Sequence, residues 1–400
     1  MCYRLSMRDL TSPPPSVPAR LSAPGKVRRV LMTAGTANAG GVWTYALELS
    51  RALGRRGVAV TLATQGEPLT AAQWTEVHAV PGLSVEQSTW KEEGTEDCWE
   101  DVAAAGRWLL ELESRLRPDA VHLNGYCHGA LPWRRRPLVV GHGCPLAWSE
   151  AVTGEPALER DVRHRWEVTR GLRAAGHVVT PTASMLEGLE RHYGPLPRAT
   201  VIPHARRCED FLPSSVREPF ILSTGRLWDE ARNLEVLETV APRLDWPVFV
   251  AGDCRHPDGG EVRARYVRSL GKLPPKELAR YMGRASIFTL PARYSPFGLP
   301  VLEAALAGCA LVLGDIPSLR EVWEGAAVFV PPDDIDVLAR ALSRLASEPV
   351  LRNRMSTLAR TRALEFSPER MVDAYLAVYA DLDRASALAP PAHPQLARAT

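Results

Sequence analysis

Residues 288–315 read FTLPARYSPFGLPVLEAALAGCALVLGD. The short apolar run 288–290 is closed by Pro291, and 293–298 is rich in loop formers. Residues 299–307 carry helix formers with apolar spacing, and Gly308 suits the position just past a helix C-terminus. Residues 310–313 read as a buried strand. The pattern predicts strand, loop, helix, strand, with a Gly-bearing loop and a helix N-terminus at the carboxyl end of a parallel strand. Backbone N–H groups and the helix dipole favour an anion such as a phosphate there. Glu303 falls about one turn into the helix, where a carboxylate can reach the hydroxyls of a ligand held at the helix start.

Upstream, 220–225 (FILSTG) and 247–252 (PVFVAG) read as strands flanking a helix over 233–244, and 267–271 and 274–283 as a strand and a helix. Between 220–225 and that helix lies GRLWDEARN, residues 225–233, with two cations, Arg226 and Arg232. Downstream come a short helix (IPSLREVW), a strand (AAVFV) and helices over 333–346, 351–363 and 366–382. In the last of these, Ser367 and Pro368 stand as N-cap and first helical residue. Asp334 and Asp336 form a D-x-D, better read as the acidic first turn of a helix than as metal ligands.

The N-terminal half has the same grammar. Strand 27–34, a Gly-containing loop with an amphipathic helix, and strand 58–64 form a βαβ unit. Gly35, Ala37 and Gly40 loosely imitate a dinucleotide fingerprint, but the second strand ends in Thr64-Gln65 without the acidic residue that takes a ribose, which argues against NAD. Residues 76–100 are acidic and read as loop with short strands. A helix over 99–116 and strands over 119–123 and 137–141 follow, and His142 stands at the carboxyl end of the last, where open α/β sheets place ligands. His122, His128, His164 and His204 are more readily structural. Helices over 166–175 and 183–192 alternate with strands HVVTPT and ATVIPH. The polar, Pro- and Ser-containing stretch 206–218 separates the two series as a linker.

Four hundred residues predict two domains. Apolar content of 46% and charged content of 24% are those of an ordinary globular protein, and a net charge of +2 gives no nucleic-acid footprint. Basic residues are nearly all arginine; the lysines are Lys26, Lys91, Lys272 and Lys276. Seven cysteines without CxxC pairs argue against a disulfide framework and for a cytoplasmic protein. No apolar run approaches the roughly 18 residues of a membrane span, and the Pro- and Ser-rich start has no signal-type apolar core. Residues 1–26 and 385–400 are expected to be disordered tails.

FGLPVLEA (297–304) resembles the donor-sugar signature of retaining glycosyltransferases of family 4, in which two glutamates are separated by seven residues. Glu303 matches the second; Ser295 stands where the first is expected. GRLWDEARN is similar to the same family's diphosphate grip, with Arg226 matching and Arg232 in place of a lysine, keeping the charge and adding a planar fork of donors. Gly40 and Gly41 match a Gly-rich loop facing the cleft, and His142 a histidine facing the donor sugar.

The resemblance, over about 27–384, implies an α/β protein of GT-B fold, two Rossmann-like domains facing a central cleft. It places an acceptor domain at 27–205, the linker at 206–218 and a nucleotide-sugar donor domain at 219–366, with a helix at 367–384 returning to the first. It implies retaining, metal-independent transfer of a sugar from a nucleotide-sugar donor to an acceptor hydroxyl, with no cofactor. Catalytic roles fall to His142, Arg226, Arg232 and Glu303. Donor contacts fall to Gly40, Gly41, Ser295, Phe297, Gly298, Leu299 and Glu303, with Glu303 on ribose and the backbone of Gly298 and Leu299 on phosphate or sugar. The nucleobase pocket, near 267–283, is reached through backbone and leaves the base unread. The acceptor, whether saccharide, lipid or small metabolite, is unread too; no nucleic-acid partner is expected, and no stretch argues for a peripheral membrane contact. Two rivals stand beside this reading: an epimerase or hydrolase of the same fold, and a nucleotide-sugar-binding protein weakened as a catalyst by Ser295.

Overall fold

The computed structural model describes residues 27–36, 40–154, 162–196, 198–226, 228–253 and 264–388. The tail expected at 1–26, Ala37, and 389–400 lie outside them. Near-continuous apolar runs such as RVLMTAG, buried at all but its ends, form strands of a parallel sheet covered on both faces.

The first sheet contains β1 (Arg29–Gly35), β2 (Ala59–Gln65), β3 (Leu83–Gln87), β4 (Ala120–Leu123), β5 (Leu138–Val140), β6 (His177–Thr180) and β7 (Ala199–Val201). All pairings are parallel, in the order β3-β2-β1-β4-β5-β6-β7. The second contains β8 (Glu218–Thr224), β9 (Val248–Ala251), β10 (Arg268–Gly271), β11 (Ala285–Leu290), β12 (Ala310–Gly314) and β13 (Val328–Val330), ordered β10-β9-β8-β11-β12-β13 and likewise parallel. Strand order reverses between β1 and β4 and between β8 and β11. Open α/β sheets form their ligand crevice at the carboxyl ends of the strands at such a reversal.

Three expectations need correction. The stretch read as loop at 76–100 begins inside helix α2 (Ala71–His78), which fills the crossover from β2 to β3 as α1 (Gly41–Arg55) fills that from β1 to β2. Its overlooked signal is local: Thr70 and Gln73 form a reciprocal capping box. The helix expected over 233–244 is shorter, Glu235–Val240, and tightens into a 3-10 turn at Ala241–Arg243, where Pro242 supplies no N–H. The final helix, Pro368–Leu388, runs into the stretch expected as a tail; Ala385 and Ala387 are strong helix formers.

That final helix inserts Met371, Val372, Tyr375, Val378 and Tyr379 into the core of the first sheet, among Val30, Met32 and Leu53. The second core gathers Ile221, Leu222, Ile287, Phe288 and Leu311 around its own sheet and fully buries Trp323. The two halves meet through polar contacts as well. Thr182 Oγ1 donates to Pro296 O at 2.9 Å. The Glu321 carboxylate accepts the N–H groups of Ala183 and Ser184 at 2.7 and 2.9 Å, an acid at the positive end of helix Ala183–Tyr193.

Candidate active site

The decisive stretch folds as β11, a loop, helix α9 (Leu299–Leu306) and β12. Gly298 caps α9 with φ +85°, a left-handed backbone where a Cβ would also lie 3.0 Å from Leu319. Pro300 occupies the first turn of α9, where a missing N–H costs nothing. The start of α9 points at the start of α1: a Cβ on Gly41 would touch Leu299 Cδ1 at 3.5 Å. Gly41 and Leu299 therefore meet across the cleft, each beside its neighbour Gly40 or Gly298 in the chain.

The loop carrying Arg226 and Arg232 leaves β8, the neighbour of β11. It is hooked to the loop after β11, because Ala231 O accepts the N–H groups of Arg293 and Tyr294 at 2.9 and 3.3 Å. Asn233, at φ +52°, donates to Pro291 O and Pro332 O and fixes the far side. Arg226 is exposed, pairs with Asp229 at 3.2 Å and lies over the Trp228 ring. Arg232 is more enclosed. Its Nη1 is buried without a hydrogen-bond partner among the described residues, and burial draws its pKa down despite Asp229 nearby. A desolvated guanidinium N–H of this kind is satisfied by an oxyanion.

Glu303 is largely buried, and its Oε1 lies 2.9 Å from Arg206 Nε. Burial raises its carboxyl above the ordinary range, and Arg206 opposes that shift. Ser295 is 2% exposed; its Oγ is buried without a partner among the described residues, while its carbonyl accepts from Ser318 Oγ at 2.6 Å. Phe297, expected as a donor contact, is a core side chain instead: it is 2% exposed and packs between His204 and Phe366, because the turn into α9 directs it inward. Asp334 and Asp336 sit at the start of helix Ile335–Ser347, Asp334 capping Val337 N and Asp336 pairing with Arg243.

On the first domain's side, His142 follows β5 and its Nε2 is 2.9 Å from Asn124 Oδ1. The Asn124 amide nitrogen donates to Thr33 O at 2.8 Å, so its oxygen faces the histidine. His142 must then carry its proton on Nε2, which leaves Nδ1 a bare acceptor with no partner among the described residues. Around it stand Tyr45, His204 and His122, with ring centroids of Tyr45 4.7 Å from His142 and 4.9 Å from His204. His122 bonds Tyr379 at 2.6 Å and Asn124 at 3.2 Å. Burial, then His204 and His122, holds His142 neutral far below the usual histidine value; His122 and His204 are pushed down to about 3 by burial. At the first sheet's reversal the Glu92 carboxylate occupies the space a Cβ on Gly35 would need.

The sequence reading singled out His142, Arg226, Arg232 and Glu303: the two arginines lie on the loop hooked to the one after β11, Glu303 lies on α9, and His142 follows β5 in the other domain. It missed Asn124, Tyr45, Arg206 and Glu92. Asn124 had a signal, since it directly follows a strand at its carboxyl end. His128, bonded to Val102 O, is structural.

Residues 39–209 match the family described as Glycosyltransferase Family 4, and 218–348 match Glycosyl transferases group 1. A D-inositol 3-phosphate glycosyltransferase of Thermobifida fusca is 27% identical over an aligned length of 417, covering 91% of this chain and 94% of that protein. A glycogen synthase of Mycobacterium tuberculosis is 30% identical over 279, covering 63% of this chain and 66% of that one. Among solved structures, a sucrose-phosphate synthase from Thermosynechococcus elongatus superposes with a TM-score of 0.75 at 18% identity, over 90% of this chain and all (100%) of the other. Anabaena Alr3699/HepE in complex with UDP and glucose gives 0.71 at 13%, over 88% and 100%. Two facing Rossmann-like sheets, with consecutive matches covering both, make this chain a glycosyltransferase of GT-B fold that belongs to family 4, the group 1 glycosyltransferases.

Proposed function

We propose that the protein transfers a sugar from a nucleoside-diphosphate sugar to an acceptor hydroxyl in the cleft, with retention of configuration and without a catalytic metal. The observation that carries this reading is the hooking of the Arg226–Arg232 loop onto the loop that starts α9. It brings two cations, a helix N-terminus and the Glu303 carboxylate to one strand-order reversal. Glu303 accepts from ribose hydroxyls. Arg226 and Arg232 hold the diphosphate and stabilise the charge that grows on it as the glycosidic bond breaks. The N–H groups of Gly298 and Leu299 add to that field. The bare Nδ1 of neutral His142 accepts from a hydroxyl of the donor sugar. The departing phosphate takes the acceptor's proton on the face it leaves, so the new bond keeps the old configuration. The neighbour solved with UDP and glucose supports a donor of this class.

The test is a thermal-shift panel of UDP-, GDP- and ADP-sugars, followed by product analysis by proton NMR with the donor that binds. Retained anomeric configuration, with turnover that survives EDTA, is expected. Inverted product, or activity lost in EDTA and restored by Mn²⁺, would overturn the mechanism. Turnover without any acceptor hydroxyl would favour an epimerase or hydrolase, and binding without turnover the non-catalytic reading that Ser295 raises.

A further inference from the structure

Arg206 lies in the connection between the two domains and touches both. Its Nε is 2.9 Å from Glu303 Oε1 on α9, and its Nη1 is 3.2 Å from Glu48 Oε2 on α1. Glu48 is 1% exposed, and its carboxylate is also approached by Arg207 at 3.4 Å and Arg51 at 3.8 Å. The Arg206 guanidinium lies over the Phe211 ring, 5.0 Å from its centroid, which fixes its plane. A guanidinium presents donors in divergent directions from one rigid plane, so one side chain can engage two carboxylates at once.

We infer that Arg206 is a positioning residue: anchored by Glu48, it holds the Glu303 carboxylate oriented and ionised for the donor's ribose. This rests on the ribose reading of Glu303. Among the described residues, the charged groups that act on Glu303 are Arg206 and Asp210 from the connection and Glu48 from α1. Burial, Glu48 and Asp210 all favour the protonated carboxyl, and Arg206 is the group that opposes them. A protonated Glu303 would offer its Oε–H as a donor and lose much of its power to accept two ribose hydroxyls. Without Arg206, burial beside two other acids would drive Glu303 toward that state near neutral pH.

The experiment measures donor affinity by calorimetry from pH 5.5 to 8.5 in the wild type, Arg206→Met, Arg206→Lys and Glu303→Gln, and in Arg206→Met combined with Glu303→Gln. In the wild type, affinity is lost as pH falls through the raised carboxyl pKa. In Arg206→Met that acidic limb should move upward by about one pH unit or more, with affinity falling by up to about tenfold for each pH unit below it. Arg206→Lys, which keeps the charge, should return the limb toward its wild-type position. In the Glu303→Gln background Arg206→Met should change affinity by less than about twofold. Arg206→Met with Glu48→Gln removes one charge of each sign and serves if Arg206→Met alone does not fold. An unmoved limb in either variant, or additive losses in the double substitution, overturns the inference while the ribose reading stands. Undiminished affinity in Glu303→Gln overturns both.

Discussion

The hydroxyl of Tyr294 accepts the backbone N–H of Cys144 at 2.7 Å, a bond from the loop after β11 to the N-cap of the helix Pro145–Thr153 in the other domain. Tyr294 immediately precedes Ser295, and Cys144 lies two residues after His142, so this bond joins the two halves of the site, alongside Thr182–Pro296 and Glu321–Ala183. The same hydroxyl points at Met185 Sδ, 3.7 Å away.

Tyr294→Phe keeps the ring and removes the acceptor, leaving the N–H of buried Cys144 unsatisfied. The cost of such an orphaned donor is about 1–3 kcal/mol. Urea denaturation should show a loss of that order, and the KM for donor should rise because the loop leading to Gly298 is no longer tied across the cleft. Unchanged stability and unchanged KM would mean that the bond does not hold the domains.

The three histidines near Tyr45 predict acid sensitivity. Their folded pKa values lie below the ordinary value of 6.5, at about 3 for His122 and His204, through burial. A depressed histidine pKa stabilises the fold fully above the unfolded value and loses that contribution as pH falls from there toward the folded value. Each buried neutral ring therefore adds a slope of about 1.4 kcal/mol per pH unit below pH 6.5. His204 has no hydrogen-bond partner at either nitrogen among the described residues, and its ring packs between Tyr45 and Phe297. His204→Phe should keep that packing and remove one such slope, measured by denaturation at pH 7, 6 and 5. An unaltered slope would mean that His204 takes up a proton within the fold.

The two cationic positions differ in a way that the sequence did not announce. Arg226 is exposed and already paired with Asp229, whereas Arg232 has a buried nitrogen without a partner. Arg232→Met should leave stability unchanged or slightly higher, because it removes a desolvated cation. It should lower turnover at saturating donor by about 10²–10³-fold, the usual loss for one donor to developing charge. Arg226→Ala should cost turnover less. Wild-type turnover in Arg232→Met would remove that residue from the diphosphate grip.

What was legible in the sequence was local. Gly308, Pro291 and the apolar spacing of 299–307 marked out β11, α9 and β12 because turns and helix ends are written within a few residues. The helix over 99–116 appears with those bounds for the same reason. What was not legible is long-range: Glu48 and Arg206 are 158 residues apart in the chain, and nothing near either one names the other. The orientation of Asn124, and through it the tautomer of His142, depends on Thr33 in a different strand. Phe297 was misplaced because a motif fixes residue order but not which face of a turn meets the core.

Ser295→Glu asks whether the site is a weakened version of the family pattern or one adapted to serine. Ser295 is 2% exposed, and the Ser318 hydroxyl bonds its carbonyl. That bond fixes the backbone from which a longer side chain would have to leave. A glutamate here adds two methylenes and a carboxylate where the serine hydroxyl is already enclosed and unpartnered among the described residues. Burying a carboxylate without a partner costs several kcal/mol or forces it to protonate. Arg232 holds an unsatisfied N–H in the adjoining loop, and a carboxylate drawn to it would occupy a nitrogen assigned to the donor's diphosphate. Both routes lower activity. Ser295→Glu should therefore reduce kcat/KM and thermal stability together, while Ser295→Ala, which removes a hydroxyl without a partner, should keep the fold intact. Kinetics of the three proteins with one donor decide the matter. Higher turnover or tighter donor binding in Ser295→Glu would mean that the pocket still has room and charge for a glutamate, and that serine is the weaker contact.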